Sequence, residues 1–273
     1  MAEVLNALFF NEFIDMVDLC CYLGWNERNG GNISYRIKDE EVDAVKDCFT
    51  YDKPWTPIGI TVENLGKEYF LVTGSGKYFR FTKADPENSV AIVELDEKGE
   101  NYRIVWGLKS GGRPTSEFPT HLMNHSVKKE LTNGEYRIVM HVHPVNIIAL
   151  TFVLPQTDKA FTREIWEMMP ECSVVCPRGI GVLPLMLTGS IEIAEATAEK
   201  FHRYDVVVWS MHGIFAAGAD FKTVFGIIET VEKAADILVR VISMGGKRIH
   251  PKDEDIIAVC EEYNLDIDKS LLE

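Results

Sequence analysis

The sequence predicts a single α/β domain of 273 residues. Short runs rich in β-branched and aromatic residues, which are typical of strands, alternate along the chain with stretches whose apolar residues recur at helical spacing. The chain has no internal repeat, low-complexity tract or linker-like break. A chain of this length can bury a substantial core, so one domain accounts for all of it.

The overall composition limits the class of protein and its partners. Hydrophobic residues make up 46% and charged residues 26%, which is ordinary for a soluble globular protein. The formal net charge of −14 repels phosphate backbones, so we expect no nucleic-acid partner. The longest apolar run, residues 147–154, is too short to span a bilayer, so we expect no membrane association. Six cysteines without a Cys-x-x-Cys pair, and no signal peptide, predict a cytoplasmic protein with reduced thiols.

The N-terminal region is predicted to form a helix, a glycine loop and a strand. An amphipathic pattern predicts the helix over residues 3–23, and residues 33–37 are typical of a strand. The intervening loop contains the adjacent glycines Gly30 and Gly31. Adjacent glycines let backbone amides crowd around a ligand, as in phosphate-binding loops, although a tight hairpin turn is the simpler interpretation.

The next hundred residues contain a second glycine loop. Residues 38–68 are poorly patterned, so we expect a surface loop there. Residues 69–73 are typical of a strand, which leads into a small-residue loop at 74–77. This loop lacks the glycine spacing and the Lys-Ser/Thr pair of a P-loop. Residues 90–95 and 102–108 predict a hairpin.

A predicted helix that ends near residue 129 begins with Pro114, Thr115, Ser116 and Glu117. Proline is tolerated at a helix start, and either hydroxyl can cap the helix. Glu117 is expected in the first turn, where the ordinary explanation is a favourable contact with the helix dipole. The same geometry also presents free amides and hydroxyls to an anion, with a carboxylate alongside.

The C-terminal half continues the alternation of strands and helices. Apolar strand patterns, helical spacing and turn residues mark the successive elements. The predicted elements are a strand at 136–142, helices at 145–154 and 158–169, strands at 173–176 and 180–183, a helix at 190–203, a strand at 205–211, and helices at 221–243 and 252–263.

Three histidines follow strand patterns at a spacing that suits a metal ion. Residues two apart on a strand share a face, so His141 and His143 are expected to point the same way. His212 ends a second apolar strand, and turn-forming residues follow both positions. A single histidine at a strand end is more often a hydrogen-bonded structural residue. Three neutral imidazoles with one open position are nevertheless the usual form of a catalytic zinc site.

Five motifs resemble one known family in their order and spacing across nearly the whole chain. They are Gly30-Gly31-Asn32-Ile33-Ser34, Val72-Thr73-Gly74-Ser75-Gly76, Pro114-Thr115-Ser116-Glu117, His141-Val142-His143 and His212-Gly213. Together they resemble the class II sugar-phosphate aldolase family, which also includes adducin. The stretch 25–32 and the insertion before Tyr69 resemble the branch of that family that acts on L-rhamnulose 1-phosphate.

The resemblance implies a fold, an assembly and a metal. The implied fold is a three-layer α/β/α domain around a mostly antiparallel central sheet, covering residues 1–273 and assembled as a four-fold symmetric homotetramer. The implied metal is one zinc ion per subunit, held by His141, His143 and His212. Pro144 departs from the small residue expected beside these ligands, but it leaves all three in place.

The resemblance also implies an activity and the residues that perform it. The activity is reversible aldol cleavage of L-rhamnulose 1-phosphate to dihydroxyacetone phosphate and L-lactaldehyde, in rhamnose catabolism. Glu117 matches the catalytic carboxylate, and Glu171 matches a second acid contributed from a neighbouring subunit. The residues implied to bind the substrate, chiefly its phosphate, are Asn29, Gly31, Asn32, Thr73, Gly74, Ser75, Thr115 and Ser116.

Two alternatives remain open at the level of sequence. The first is another activity of the same superfamily, either an aldolase for fuculose phosphate or a 4-epimerase acting on ribulose phosphate. No extra acid/base pair is evident near the C-terminus, which argues mildly against an epimerase. The second is an adducin-like interaction module that has lost catalysis. Such a module has no need of the three histidines or Glu117, and all four are present.

Overall fold

The computed structural model describes residues 3–272 and confirms the predicted α/β class. Within these residues no helix is both long and apolar enough to cross a membrane. The helices are α1 (Leu8–Tyr22), α2 (Asp39–Val45), α3 (Phe79–Thr82), α4 (Pro86–Ser89), α5 (Phe118–Leu131), α6 (Val145–Leu150), α7 (Asp158–Trp166), α8 (Pro170–Val175), α9 (Ile191–Phe201), α10 (Phe221–Ser243) and α11 (Asp253–Glu262). The strands are β1 (Asn32–Arg36), β2 (Thr56–Pro57), β3 (Tyr69–Thr73), β4 (Val90–Leu95), β5 (Asn101–Gly107), β6 (Ile138–Val142), β7 (Gly181–Leu183), β8 (Val206–Trp209) and β9 (Gly213–Gly218).

The nine strands form one sheet in the order β2-β5-β4-β3-β1-β6-β9-β8-β7. Every pairing is antiparallel except that of β7 with β8, so the prediction of a mostly antiparallel sheet is confirmed. The long β4–β5 hairpin and the neighbouring β3 form one half of the sheet. Strands β1, β6 and β9 lie side by side at its centre.

Alternate residues of the central strands pack against different helical layers, which makes the three-layer arrangement. Met140 of β6 lies in the larger core together with Phe13 of α1 and with α10. Val139, one residue earlier, faces the opposite side and packs with Phe201 of α9. On that same side α5 contributes Leu122 to a core under β3 and β4. The period of two along each strand therefore sends apolar side chains into both layers.

The prediction of a surface loop over residues 38–68 is only partly correct. The segment contains α2, and Phe49, Ile58 and Leu65 are buried in the two main cores. Acidic residues in the first turn of α2 interact favourably with the helix dipole, which stabilises the helix. The Glu41 carboxylate also accepts a hydrogen bond from the Lys38 backbone N–H at 3.1 Å. Residues 50–55, which include Pro54, are exposed and have no regular secondary structure, as predicted.

Two further strand assignments differ between sequence and structure. The predicted strand at 173–176 is wrong, because these residues belong to α8 and its end. Pro170 occupies the start of α8, a position that proline favours, and Glu171 lies in the first turn. Strand β9 was not predicted, although its apolar residues are all buried. The long helix predicted at 221–243 is confirmed as α10.

Candidate active site

The three predicted histidines converge at the end of the central strands. His141 lies in β6, His143 follows that strand, and His212 lies in the turn between β8 and β9. Their ligand nitrogens all lie within 4.8 Å of one another. The Nε2 atom of His141 is 3.2 Å from Nε2 of His143 and 3.2 Å from Nε2 of His212. The antiparallel pairing of β6 with β9 brings the end of one strand to the start of the other.

The hydrogen bonds on the far side of two rings determine which nitrogen carries the proton. His141 Nδ1 is 3.1 Å from the Ile214 carbonyl oxygen, which can only accept a hydrogen bond. His143 Nδ1 is 2.9 Å from an oxygen of the Glu27 carboxylate. In neutral rings both Nδ1 atoms therefore carry the hydrogen, and both Nε2 atoms present lone pairs. The 3.2 Å contact between those Nε2 atoms is then repulsive unless a cation accepts both lone pairs.

The geometry fits a tetrahedral divalent ion such as zinc. Two nitrogen ligands at zinc-binding distance and a tetrahedral angle lie about 3.3 Å apart, close to the spacing seen here. Burial lowers the pKa of His141 well below its usual value. Burial and the nearby His143 lower the pKa of His212 to about 4. These two rings are neutral at physiological pH, as metal ligands must be.

Small and aromatic residues shape the wall around the histidines. A Cβ atom at Gly213 would lie 2.5 Å from the Val142 carbonyl oxygen and 2.8 Å from Cδ2 of His143, so this position admits only glycine. The Phe215 ring stacks on His141 with centroids 4.2 Å apart. A Cβ atom at Gly30 would meet Cε1 of His143 at 2.8 Å. The first glycine loop therefore packs directly against the histidine cluster.

Glu117 faces this cluster from the start of α5. The helix begins at Phe118, so Glu117 is the N-cap residue rather than part of the first turn, as the sequence had suggested. Its side chain is 9% exposed, and Oε2 lies 3.7 Å from Nε2 of His141. Asn32 Nδ2 donates a hydrogen bond to the same oxygen at 2.7 Å. Burial raises the pKa of Glu117 above its ordinary value, and the Asn32 donor opposes that shift.

The second glycine loop lies beside the segment that precedes Glu117. Gly74 forms a β-bridge with Pro114, and the Ser75 N–H donates to the Arg113 carbonyl oxygen at 2.9 Å. The Thr115 N–H donates to the Thr73 carbonyl oxygen at 2.9 Å. The structure therefore brings Thr73, Gly74 and Ser75 next to Thr115 and Ser116. The side chain of Ser116 is exposed, whereas Thr73 is buried and its hydroxyl accepts a hydrogen bond from the Ile33 N–H at 3.2 Å.

The remaining predicted residues divide between the site and the surface. Gly31 and exposed Asn29 lie in the first glycine loop, beside the histidines. Glu171 is exposed at the start of α8 and lines a surface cavity together with Val259 of α11. The neighbouring Cys172 is buried, and burial raises its pKa to about 12, so it is not an activated thiol.

Four residues near the site were assigned no role from the sequence. They are Glu27, Ser34, His121 and His125. The Glu27 carboxylate accepts a hydrogen bond from His143. The other three residues form a chain of buried hydrogen bonds that begins at Asn32 and leads into the protein. One signal was available, because His121 and His125 follow Glu117 at intervals of four residues and must share its helix face.

The mixed sheet, the histidine cluster and the facing carboxylate together form a candidate metal-binding active site. Residues 11–239 match the family model described as Class II Aldolase and Adducin N-terminal domain. The chain belongs to this family.

Individual relatives are similar over nearly the whole chain. A rhamnulose-1-phosphate aldolase of Mannheimia succiniciproducens is 43% identical over 265 residues, which is 97% of each chain. One from Escherichia coli is 41% identical over the same share. A solved sugar-phosphate aldolase from Thermotoga maritima has a TM-score of 0.74 and 30% identity, covering 86% of this chain and 95% of that one. A structure of L-fuculose 1-phosphate aldolase is similar in fold, with a TM-score of 0.59 at 18% identity, covering 93% of this chain and 95% of that one.

Proposed function

We propose that this chain is a zinc-dependent aldolase that reversibly cleaves L-rhamnulose 1-phosphate into dihydroxyacetone phosphate and L-lactaldehyde. The observation that carries the proposal is the buried Glu117 carboxylate, which lies 3.7 Å from Nε2 of His141. The 43% identity of the chain to a rhamnulose-1-phosphate aldolase supports the choice of substrate. On this proposal residues 1–273 form one aldolase domain that acts in rhamnose catabolism. The six cysteines include no Cys-x-x-Cys pair, which supports a reducing, cytoplasmic location.

His141, His143 and His212 are the residues that would hold the zinc ion, one per subunit. Their facing lone pairs and their 3.2 Å spacing support this assignment. When bound, the ion supplies positive charge next to the ketose oxygens, where negative charge develops as the C3–C4 bond breaks. No Schiff-base lysine is then needed to stabilise that charge.

Glu117 is the proposed proton carrier at C3. Cleavage leaves the ketose fragment one proton short at C3, and synthesis requires that proton to be removed again. A carboxyl group whose pKa is raised by burial is better matched to both steps near neutral pH than an exposed one. The hydrogen bond from Asn32 fixes the orientation of the carboxylate.

The phosphate group of the substrate is proposed to bind between the two glycine loops and the start of α5. The proposed donors come from Asn29, Gly31, Asn32, Thr73, Gly74, Ser75, Thr115 and Ser116. Three observed contacts between the second glycine loop and the segment before Glu117 support a common pocket. Asn32 uses one amide hydrogen for Glu117 and retains a second for a ligand. A net charge of −14 means that neutral donors must supply the affinity.

Glu171 is proposed to act on the aldehyde half of the substrate in the site of a neighbouring subunit. Its exposure at the start of α8 supports a role outside its own chain. Such a role requires a closed assembly, and a four-fold symmetric homotetramer provides one site at each of four equivalent subunit boundaries. Removing this carboxylate should therefore affect handling of L-lactaldehyde more than exchange at C3.

A substrate panel tests the proposal directly. Zinc-loaded protein is incubated with L-rhamnulose, L-fuculose and ribulose phosphates, and aldehyde release and epimer formation are both measured. We expect the fastest cleavage for L-rhamnulose 1-phosphate, loss of activity with a chelator, and its return with zinc. Faster reaction of another ketose phosphate would identify the chain as a different enzyme of the same superfamily. No reaction with any of the three would favour the non-catalytic module.

A further inference from the structure

A chain of buried polar side chains runs from Glu117 into the protein interior. Asn32 Nδ2 donates to Glu117 Oε2 at 2.7 Å, and the other end of the Asn32 amide contacts Nε2 of His121. His121 Nδ1 lies 2.6 Å from the Ser34 hydroxyl, which lies 2.8 Å from Nε2 of His125. Four side chains thus extend behind the proposed proton carrier.

The direction of every hydrogen bond in this chain is determined. The Asn32 amide gives an N–H to Glu117, so its Oδ1 must accept from His121 Nε2–H. Burial lowers the pKa of His121 to about 3, so the ring is neutral and its Nδ1 accepts from the Ser34 hydroxyl. The Ser34 oxygen is then free to accept from His125 Nε2–H. In each of the four hydrogen bonds the donor lies farther along the chain from Glu117 than the acceptor. Hydrogen bonds aligned in this way polarise and strengthen one another.

The chain is buried, and aromatic rings lie beside both of its histidines. Ser34 and His121 are fully buried, and His125 is 1% exposed. The Phe215 ring lies 5.6 Å from His121, and the Phe70 ring lies 5.2 Å from His125, measured between centroids. Burying two imidazoles is costly unless each polar atom is paired, and an apolar helix face would avoid that cost. A role in the active site therefore explains these two buried histidines better than packing does.

We propose that His121 is a positioning residue for the reaction, because its Nε2–H holds the Asn32 amide in the orientation that donates to Glu117. This inference rests on the proposed function of Glu117. Without the His121 donor, the Asn32 amide is free to turn and to present its oxygen to the carboxylate. That contact is repulsive, so Glu117 would leave the position from which it reaches C3.

Two amide substitutions separate positioning from packing. A glutamine side chain places its nitrogen near the position of a histidine Nε2, whereas an asparagine side chain reaches only as far as Nδ1. His121→Gln therefore retains a donor to Asn32, and His121→Asn removes it while keeping a similar polarity. His121→Phe keeps a planar ring and removes both hydrogen bonds. His125→Phe is the matched control, since it makes the same change one turn later and leaves the His121–Asn32 contact intact.

Steady-state cleavage and exchange of the C3 proton with solvent deuterium are measured for each variant, together with zinc content. We expect kcat and exchange to fall by up to about a hundredfold in His121→Asn and His121→Phe, as for other small misplacements of a reacting group. Zinc content should stay near wild type, whereas KM should rise, because Asn32 also belongs to the proposed phosphate pocket. His121→Gln should recover most of the loss, and His125→Phe should lose clearly less activity than His121→Phe, because the His121–Asn32 contact stays intact.

Wild-type kcat in His121→Asn, or equal loss in the asparagine and glutamine variants, would overturn the proposal while leaving the aldolase assignment intact. If His121→Phe does not fold, the asparagine and glutamine variants decide the matter alone. If wild-type protein cleaves no ketose phosphate, the function proposed above fails instead. Crystal structures of the two amide variants then test the geometry, since Asn32 should withdraw from Glu117 only in His121→Asn. Asn32 unmoved in both would refute the positioning role.

Discussion

Replacing Glu27 by alanine should weaken zinc binding, although Glu27 does not itself touch the metal position. Its carboxylate oxygens lie 3.0 and 2.9 Å from Nδ1 of His143. Although burial opposes it, the hydrogen bond from His143 helps to lower the pKa of Glu27, so the group is an anion at neutral pH. The anion requires a hydrogen on Nδ1, which leaves the Nε2 lone pair directed at the other histidines. Glu27→Ala removes this constraint on the tautomer and on the ring orientation.

The size of the effect follows from the exposure of the two partners. Groups that orient a metal-binding histidine usually contribute about 10- to 100-fold to metal affinity. The Glu27 side chain is 69% exposed while that of His143 is 12% exposed, so solvent screens the charge. We therefore expect a loss near the lower limit, about tenfold or about 1.4 kcal/mol. Glu27→Gln keeps an acceptor oxygen without the charge and should fall between alanine and wild type.

Competition with a chromophoric chelator at one fixed pH measures the zinc affinity without relying on turnover. Glu97→Ala is the control, because Glu97 is also an exposed glutamate in an ion pair, but with Lys67 on the surface. Glu97→Ala should bind zinc like wild type, and Glu27→Ala should regain normal kcat once saturated with zinc. If Glu27→Ala binds zinc as tightly as Glu97→Ala, the orientation of His143 does not depend on Glu27 and the reasoning is refuted.

Three other predictions concern the carboxylate, the phosphate pocket and acid stability. Glu117→Gln should lower turnover by about two to four orders of magnitude and abolish exchange of the C3 proton, with zinc content unchanged. If the variant exchanges this proton at the wild-type rate, another carboxylate is the base. Ser75→Ala and Ser116→Ala should each weaken inhibition by dihydroxyacetone phosphate by about 1–3 kcal/mol, and unchanged inhibition in both would place the pocket elsewhere. His121 has a folded pKa of about 3 against 6.5 for an unperturbed histidine, so the unfolded chain binds the extra proton between these values. The contribution of His121 to the stability measured in urea should therefore fall below pH 6.5 by up to about 1.4 kcal/mol per pH unit, so that stability falls less steeply in His121→Phe than in wild type; equal slopes would show that His121 titrates normally in the folded protein.

The histidine cluster could be predicted from sequence because it depends on local rules. His141 and His143 are two residues apart, and the period of a strand alone places them on one face. His212 was found by a similar local signal, an apolar strand that ends in a turn. The structure brings the three together because β6 and β9 are neighbours, a pairing that no single segment encodes.

The errors arise where tertiary contacts override a local pattern. Residues 38–68 lack periodicity, yet Phe49, Ile58 and Leu65 are buried because the β4–β5 hairpin and the helices pack over them. The run Val174–Val175 resembles a strand, but proline at the start of α8 sets a helix that α11 covers. Glu117 was expected in the first turn of its helix but is the N-cap residue, since the ends of helices are poorly determined by sequence.

The buried polar chain behind Glu117 was missed for a different reason, which concerns the register of the sheet. Asn32 of β1 lies directly opposite His141 of β6, and His141 lies opposite Phe215 of β9. Residues paired in this way point to the same face, so these three form a row beneath α5, where Glu117 meets them. A slip of one residue in β1 would turn Asn32 away and place Ile33 against α5 instead. Ile33 is fully buried in the opposite core, so the burial that stabilises β1 also holds Asn32 between the carboxylate and His121.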